Sequence, residues 1–480
     1  MRRDVTLVRL RVGSGTAPHF RATAFAVFAS AVAVGTLVHE WNSTFPEFVA
    51  IPAAVAAFAV LLRPASTVRF VVLLAVLAAE CVSQLPDPVN HQVLLGILGT
   101  TLGAWWLTLR LRTPQIANDP AEIYERTAPY LRLAFILMWF FAAFAKINTG
   151  FTDPVSTCAV WILESIPVLA VPAALTPVAI VGTIAVELAV PTLLLFHRTR
   201  PLAIMLAFPF HVISAFAGHS WFSGFAWAFY ALFLPPATLA RGVRMARRMV
   251  PDALRARLEV AYARPWLTLA VVTAAWVGAR YVVAPLLPGS LAAARQWGAV
   301  LLCVGWMTVT AVILWRLRRS WVPSRLRPRA RLVVRNAVMW VGIALLAFNA
   351  ACPYLGVKTG AAFTMFSNLQ TEPGHWNPVL VPESVRVVNW LDGGDVRFLE
   401  TDDPRLDALV AEERAENVVL IGARRIVEAF PDASVRYLLD GEERLANPVS
   451  ADPVLGVPLT TVQRLFGEAR PYADGGTCQH

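Results

Sequence analysis

Two lysines stand against forty arginines in this chain, and one of them, Lys146, closes the run Trp139-Phe-Phe-Ala-Ala-Phe-Ala-Lys146. The imbalance makes the exception informative. A guanidinium stays protonated in a protein, whereas an ammonium taken out of water gives up its proton readily and becomes a base. An anchor snorkelling toward the headgroups would use the same residue, and the sequence leaves both readings open. His91 follows Pro86-Asp87-Pro88-Val89-Asn90 and lies at the same outer depth as Lys146 if their helices are neighbours; its plainer reading is a histidine at a helix start. Glu80 belongs to this level too. Charged groups deep in a bilayer cost roughly 2.5 to 3.5 kcal/mol at a helix centre, so they pair or serve a pathway. His91, Lys146 and Glu80 are therefore expected to line one outward-opening cavity. Glu187 and His211 sit deeper and read as structural partners of each other or of Arg280. Arg132 reads as an inner-side anchor, and His219 with Trp221 as an interface belt.

These residues need helices to hold them. Of the 480 residues 57% are hydrophobic and 15% charged, with a mean hydropathy of +0.56. That is more apolar surface than one soluble core can hide. Apolar runs of bilayer length recur near 21 to 38, 46 to 62, 67 to 84, 91 to 110, 129 to 147, 172 to 196, 202 to 218, 221 to 237, 265 to 287, 296 to 315 and 332 to 351. The expected fold is an all-α polytopic membrane bundle of about eleven spans with a small α+β soluble C-terminal domain. Its parts would be a cytoplasmic segment 1–20, a transmembrane domain 21–351 and an extracytoplasmic tail 352–480. Basic residues in alternate loops and the adjoining span ends fall 26 on one side, against Arg295 alone on the other. By the positive-inside rule the amino terminus is cytoplasmic, and an odd span count puts the tail outside. The net charge of +10 sums a membrane part of +18 and a tail of −8. The arginines lie in short loops, where they set orientation, so no nucleic-acid partner is read.

The tail shows alternating stretches at Ser384 to Trp390 and Val418 to Ile421, a helix-like Pro404 to Ala415, and turns at Gly393-Gly394 and Asp440-Gly441. The segment Ala159 to Pro172, broken by Glu164 and Pro167, is too short to cross and is expected to lie in the outer interface or re-enter. Five cysteines show no CxxC and no zinc spacing, and no metal is expected. Cys352 and Cys478 both fall on the outer side as a candidate disulfide, while Cys81, Cys158 and Cys303 read as small packing residues. No nucleophile elbow, Walker loop, HExxH or dinucleotide fingerprint is present.

Three blocks resemble the vitamin K-dependent γ-carboxylase family and its bacterial relatives, the HTTM (horizontally transferred transmembrane) domain proteins. They are Val89-Asn90-His91-Gln92 leading into Leu94-Leu95-Gly96, Leu131-Arg132 through Phe140-Phe141-Ala142-Ala143-Phe144-Ala145-Lys146, and Phe210-His211 through Phe222-Ser223-Gly224-Phe225. Together they span roughly residues 40 to 240. Phe363-Thr364-Met365-Phe366-Ser367-Asn368-Leu369 through Asn377 looks like a block of bacterial members, and its plainer reading is a buried connector.

In that family a lysine deprotonates vitamin K hydroquinone, oxygen adds, and the alkoxide formed takes a glutamate γ-proton before carbon dioxide is captured. The resemblance implies Lys146 as base and His91 as the partner that orients or stabilises the charged intermediate. It further implies Asn90, Arg132, Phe140, Phe144 and His211 around reduced vitamin K or menaquinone. A wall of Phe140, Phe141 and Phe144 would supply the desolvation a lysine base needs. The family's doubled lysine is Ala145-Lys146 here, and the tail is smaller than the carboxylase's outer domain. The expected function is a membrane enzyme of epoxidase or carboxylase-like chemistry, working in the lipid bilayer on a lipid-soluble quinol, O2, possibly CO2 and an unknown acceptor. The alternative is a non-catalytic protein that binds or exports a lipid or other apolar molecule, although the inverted repeats of a transporter are not evident.

Overall fold

The computed structural model describes residues 18–42, 47–85, 88–166, 169–283, 289–318, 332–410, 417–467, 469 and 478. The amino-terminal arginines and most of the Arg316 to Arg331 loop lie outside the described residues. The membrane part is built from α1 (Pro18–Asn42), α2 (Glu47–Leu62), α3 (Thr67–Ser83), α4 (Asn90–Arg112), α5 (Pro120–Phe144), α6 (Thr176–Leu195), α7 (Arg200–Ser214), α8 (Ser220–Tyr230), α9 (Pro236–Met249), α10 (Asp252–Ala263), α11 (Pro265–Val277), α12 (Gly289–Arg316) and α13 (Ala337–Leu355). Among the described residues, eight helical stretches are long and apolar enough to cross a membrane. One of them, Arg200–Phe233, joins α7 to α8 through a π-turn at Ala215–His219, where Gly218 takes φ 98° and lets the chain fold back.

Helix ends follow local chemistry. Asp119 accepts the Ala121 N–H at the start of α5, with Pro120 in the first turn, and Asn336 accepts the Val338 N–H before α13. α1 is the centre of the bundle, packing against α2, α5, α8 and α9. Small residues make that possible: Ala24, Ala29 and Ala33 are fully buried. α3 and α4 form a tight antiparallel pair, and α13 lies against α4 and α5.

α13 does not stop at residue 351. It runs to Leu355, so Cys352 belongs to the last helix. The following segment, 357–371, is largely buried against the end of the bundle reached by α13, consistent with the connector reading. Four of its non-glycine residues, Ala361, Phe363, Phe366 and Asn368, adopt left-handed backbone with φ 48° to 59°. Such positions cost of order 1–3 kcal/mol each and persist only where surrounding contacts dictate them.

The tail carries an antiparallel sheet in the order β2-β1-β3-β4, from β1 (Asp395–Thr401), β2 (Val418–Val419), β3 (Val435–Leu439) and β4 (Glu442–Ala446). Asp440-Gly441, at φ 51° and 83°, makes the two-residue hairpin turn between β3 and β4. α14 (Pro404–Val410) and α15 (Leu420–Val427) cover one face, burying Leu406, Val410, Ala423 and Val427 against Val396, Phe398 and Tyr437.

Three expectations for the tail change. Ser384 to Trp390 is no strand: Glu383–Val385 is a 3-10 turn, and the Val387 and Val388 amides bond the Leu355 carbonyl at the end of α13. Only Val418–Val419 is extended in the second stretch, because Leu420, Ala423 and Val427 present a helical apolar spacing. The predicted helix from Pro404 is described only to Val410. The disulfide is Cys158–Cys478, not Cys352–Cys478. Cys352 is buried and free within α13.

Candidate functional site

Lys146 lies just beyond α5 and is 2% exposed. Its Nζ donates to the Met365 carbonyl at 2.8 Å and lies 3.4 Å from the Ala142 carbonyl. An ion pair of 2.9 Å joins it to Glu187 of α6, itself 5% exposed. The Phe151 ring covers the ammonium at 5.9 Å. This pair forms the charged part of the wall of an otherwise apolar cavity of about 320 Å³, lined by Trp139, Ala142, Val186, Phe210, Phe222 and Phe366 among others. Val178, in the first turn of α6, and Ile213, in the last turn of α7, also line it and are 65% and 40% exposed, so the cavity is open to the surface there.

Phe140 and Phe144 are not in that wall. Positions two and six residues before Lys146 project about 200° and 240° around a helix, toward another side, whereas Ala142 and Trp139 share its face. Phe140 is 45% exposed and stacks on Phe144 with ring centroids 6.0 Å apart; Phe144 packs on Tyr354. The desolvation expected from these rings comes from Trp139, Phe151 and Phe210 instead.

A second cluster sits between α1, α3, α4 and α8. His39 Nε2 is 3.1 Å from Glu80 Oε1, Gln92 Nε2 donates to the same oxygen at 2.8 Å, and His91 Nε2 faces His39 Nδ1 at 3.4 Å. Glu40 Oε1 is 3.9 Å from His39 Nε2. All five side chains are at most 5% exposed. Close helix crossings hold them. A Cβ on Gly35 would lie 3.1 to 3.3 Å from Phe225 and Gly224, so α1 and α8 meet one turn from His39 and Trp221. Trp221 and Phe225 close the cluster, with ring centroids 4.3 and 5.7 Å from His91.

The structure thus brings His91 and Glu80 together but gives Lys146 a different partner. The cavity lined by Lys146 has neither His91 nor Glu80 in its wall. A single cavity for all three is overturned, and adjacent residues of α8 serve the two places: Trp221 packs at a tilt on His91 while Phe222 lines the cavity. Asn90 reaches the 357–371 segment, its Oδ1 accepting the Phe363 N–H. His211 is fully buried, with Nε2 3.2 Å from the Tyr230 hydroxyl, while Glu187 takes Lys146 as its partner. Arg132 is also buried rather than an interface anchor: its Nε donates to the Leu232 carbonyl at the end of the α8 region, at 2.7 Å.

Sequence reasoning missed His39, Glu40, Gln92 and the Lys146–Glu187 pair. A span ended at residue 38 excluded His39-Glu40, although Trp41 marks a helix that runs on to the aromatic belt. Comparison of the chain with protein-family models, with curated proteins and with solved structures finds no match in any of the three.

Proposed function

We propose that this chain is a membrane enzyme in which Lys146 and Glu187 together take a proton from an acidic hydroxyl of a lipid-soluble reduced quinone. The observation that carries this reading is the buried pair in the wall of a largely apolar cavity that reaches the surface. The cavity volume is at the lower end of the range for small-molecule sites, and its lining suits an aromatic head group. A reduced vitamin K or menaquinone would supply the ionisable hydroxyl and the electrons that oxygen accepts. Trp139, Phe210 and Phe222 would hold it and exclude water. In such a dry site Lys146 would accept the hydroxyl proton as base, and Glu187 would pair with the ammonium that forms. CO2 capture and the acceptor follow only from the resemblance.

A specific observation favours the non-catalytic alternative, in which the cavity holds a lipid: Lys146 is within reach of three oxygens, as a structural ammonium would be. Oxygen uptake by the purified chain with reduced menaquinone separates the two. Uptake lost in Lys146→Arg, which keeps a cation but accepts no proton, supports the base; wild-type turnover in that variant removes it.

We further propose eleven crossings, counting α2 and α3 at 16 and 17 residues and separating α7 from α8 at Gly218. The amino terminus is then cytoplasmic and the tail extracytoplasmic. The Cys158–Cys478 disulfide supports this placement, since such bonds persist in oxidising compartments. Labelling of single cysteines from outside whole cells tests it; labelling in the Arg241 to Arg264 loop would overturn it.

A further inference from the structure

The cluster behind α8 combines donor types that the quinol reading does not use. His39, Glu40 and Glu80 each offer a ligand atom, and these atoms lie within 4.8 Å of one another. They are 5%, 0% and 3% exposed. We propose that His39, Glu40 and Glu80 bind a divalent transition-metal ion inside the bundle, with Gln92 and His91 orienting the ligands.

Donor chemistry narrows the ion. One imidazole and two carboxylates suit Fe2+, Mn2+ or Zn2+, whereas Ca2+ asks for about 6–8 oxygens and Mg2+ keeps most of its water. Chain geometry brings the ligands together from two helices: His39 and Glu40 from the outer end of α1, and Glu80 from the outer end of α3. Glu80 is held there by the α3–α4 contact, where a Cβ on Gly96 would come within 2.8 Å of Cys81.

Charge supports the same conclusion. Two carboxylates side by side in an apolar bundle each carry a desolvation penalty of several kcal/mol. Arg280, stacked over Trp276 and Tyr281, is close enough to act electrostatically on Glu40 and His39. One guanidinium offsets one carboxylate; a dication bound by both offsets the site as a whole.

The surrounding groups match what metal ligands need. A ligating histidine donates its other ring N–H to an acceptor, and His39 Nδ1 faces His91 Nε2. Gln92 has its own orientation fixed, because its Oε1 accepts the Val89 N–H at 2.9 Å, and its Nε2 is thereby aimed at Glu80. Glu80 adds an independent pointer. It is 3% exposed, its Oε1 meets His39 and Gln92, and its Oε2 has no hydrogen-bond partner among the described residues. A buried carboxylate oxygen without a partner calls for a water or an ion nearby.

The proposal does not rest on the quinol reading, and its test reads metal rather than turnover. The purified full chain, with any affinity tag removed, is stripped with chelator, reloaded separately with Mn2+, Fe2+ and Zn2+, and analysed for bound metal and, for Mn2+, by electron paramagnetic resonance. About one ion per chain is expected for at least one metal, with a raised unfolding temperature. Glu80→Gln and His39→Ala should lose it, and Gln92→Ala, which among the three ligands bonds only Glu80, should bind about 10–100-fold more weakly. Lys146→Arg should keep the ion. If a ligand variant does not fold, Gln92→Ala decides. Failure of the wild type to bind any of the three metals overturns the site, as does unchanged affinity in the Gln92 and Glu80 variants. Loss of oxygen uptake in Lys146→Arg with the ion retained would leave both readings standing independently.

Discussion

Asn90 and Lys146, on helices 56 positions apart in sequence, hold the same buried segment two residues apart: Asn90 accepts the N–H of Phe363, and Lys146 donates to the carbonyl of Met365. Phe363 itself, and Phe366 next to Met365, adopt left-handed backbone. The segment is therefore a strap whose shape is dictated by side chains of the bundle.

Removing one hold should loosen the strap. Asn90→Ala leaves the Phe363 N–H without its acceptor, at a cost of about 1–3 kcal/mol. Thermal unfolding in mild detergent reads this. A loss below about 0.5 kcal/mol would mean that water replaces the asparagine.

The Lys146–Glu187 pair makes a prediction about stability that is separate from catalysis. Lys146→Met or Glu187→Leu alone leaves a lone buried charge and should destabilise by about 3–5 kcal/mol, whereas the double variant should regain most of the loss. Equal, additive losses in a double-mutant cycle would show that the two groups do not interact.

The cavity wall predicts which aromatic residues matter. Phe140→Ala, at a position 45% exposed, should change oxygen uptake by no more than about two-fold. Trp139→Ala or Phe210→Ala, in the wall, should raise the quinol concentration needed for half-maximal rate by about ten-fold or more. The reverse ranking would move the site to the Phe140 face.

Helix contact in the α3–α4 pair leaves no room for a methyl group at Gly99, where a Cβ would collide with the Leu74 carbonyl. Gly99→Ala should cost about 1–3 kcal/mol by forcing the helices apart, while Gly103→Ala, facing open space, should not. Unfolding midpoints of the two variants compare them directly.

In the tail, the Arg405 side chain, and then its backbone N–H, hold the Asp403 carboxyl down to about 2 from an ordinary 3.8. Because the folded value is the lower one, the stabilisation is present above about pH 4 and is lost as pH falls toward about 2. The advantage of the wild type over Asp403→Asn should shrink across that window. A constant difference from pH 6 to pH 2 would show that the charge plays no part.

The membrane helices were legible because apolar length is a local property. Ala142 and Trp139 share a face with Lys146 by helical spacing alone, so the aromatic wall at Phe140 and Phe144 was avoidable from sequence. The partner at Glu187 was not, since it depends on α5 lying beside α6. Cys158 and Cys478, 320 positions apart, give no local sign of meeting. His39 and Glu40 were visible but excluded by ending a span at residue 38 where the helix runs on to Asn42, which shows how a soft helix boundary hides a site at a helix end.

The sheet in the tail ends on β2, two residues long, and on β4, whose exposed residues are Glu442, Glu443, Arg444 and Leu445. A domain tethered to a bilayer is confined to a plane, where copies of the same chain meet far more often than they would in free solution. Under that two-dimensional crowding, an open apolar strand would join neighbouring molecules into extended sheets. A two-residue stub on one border and a strand rich in ionised side chains on the other leave this sheet little open edge for such pairing.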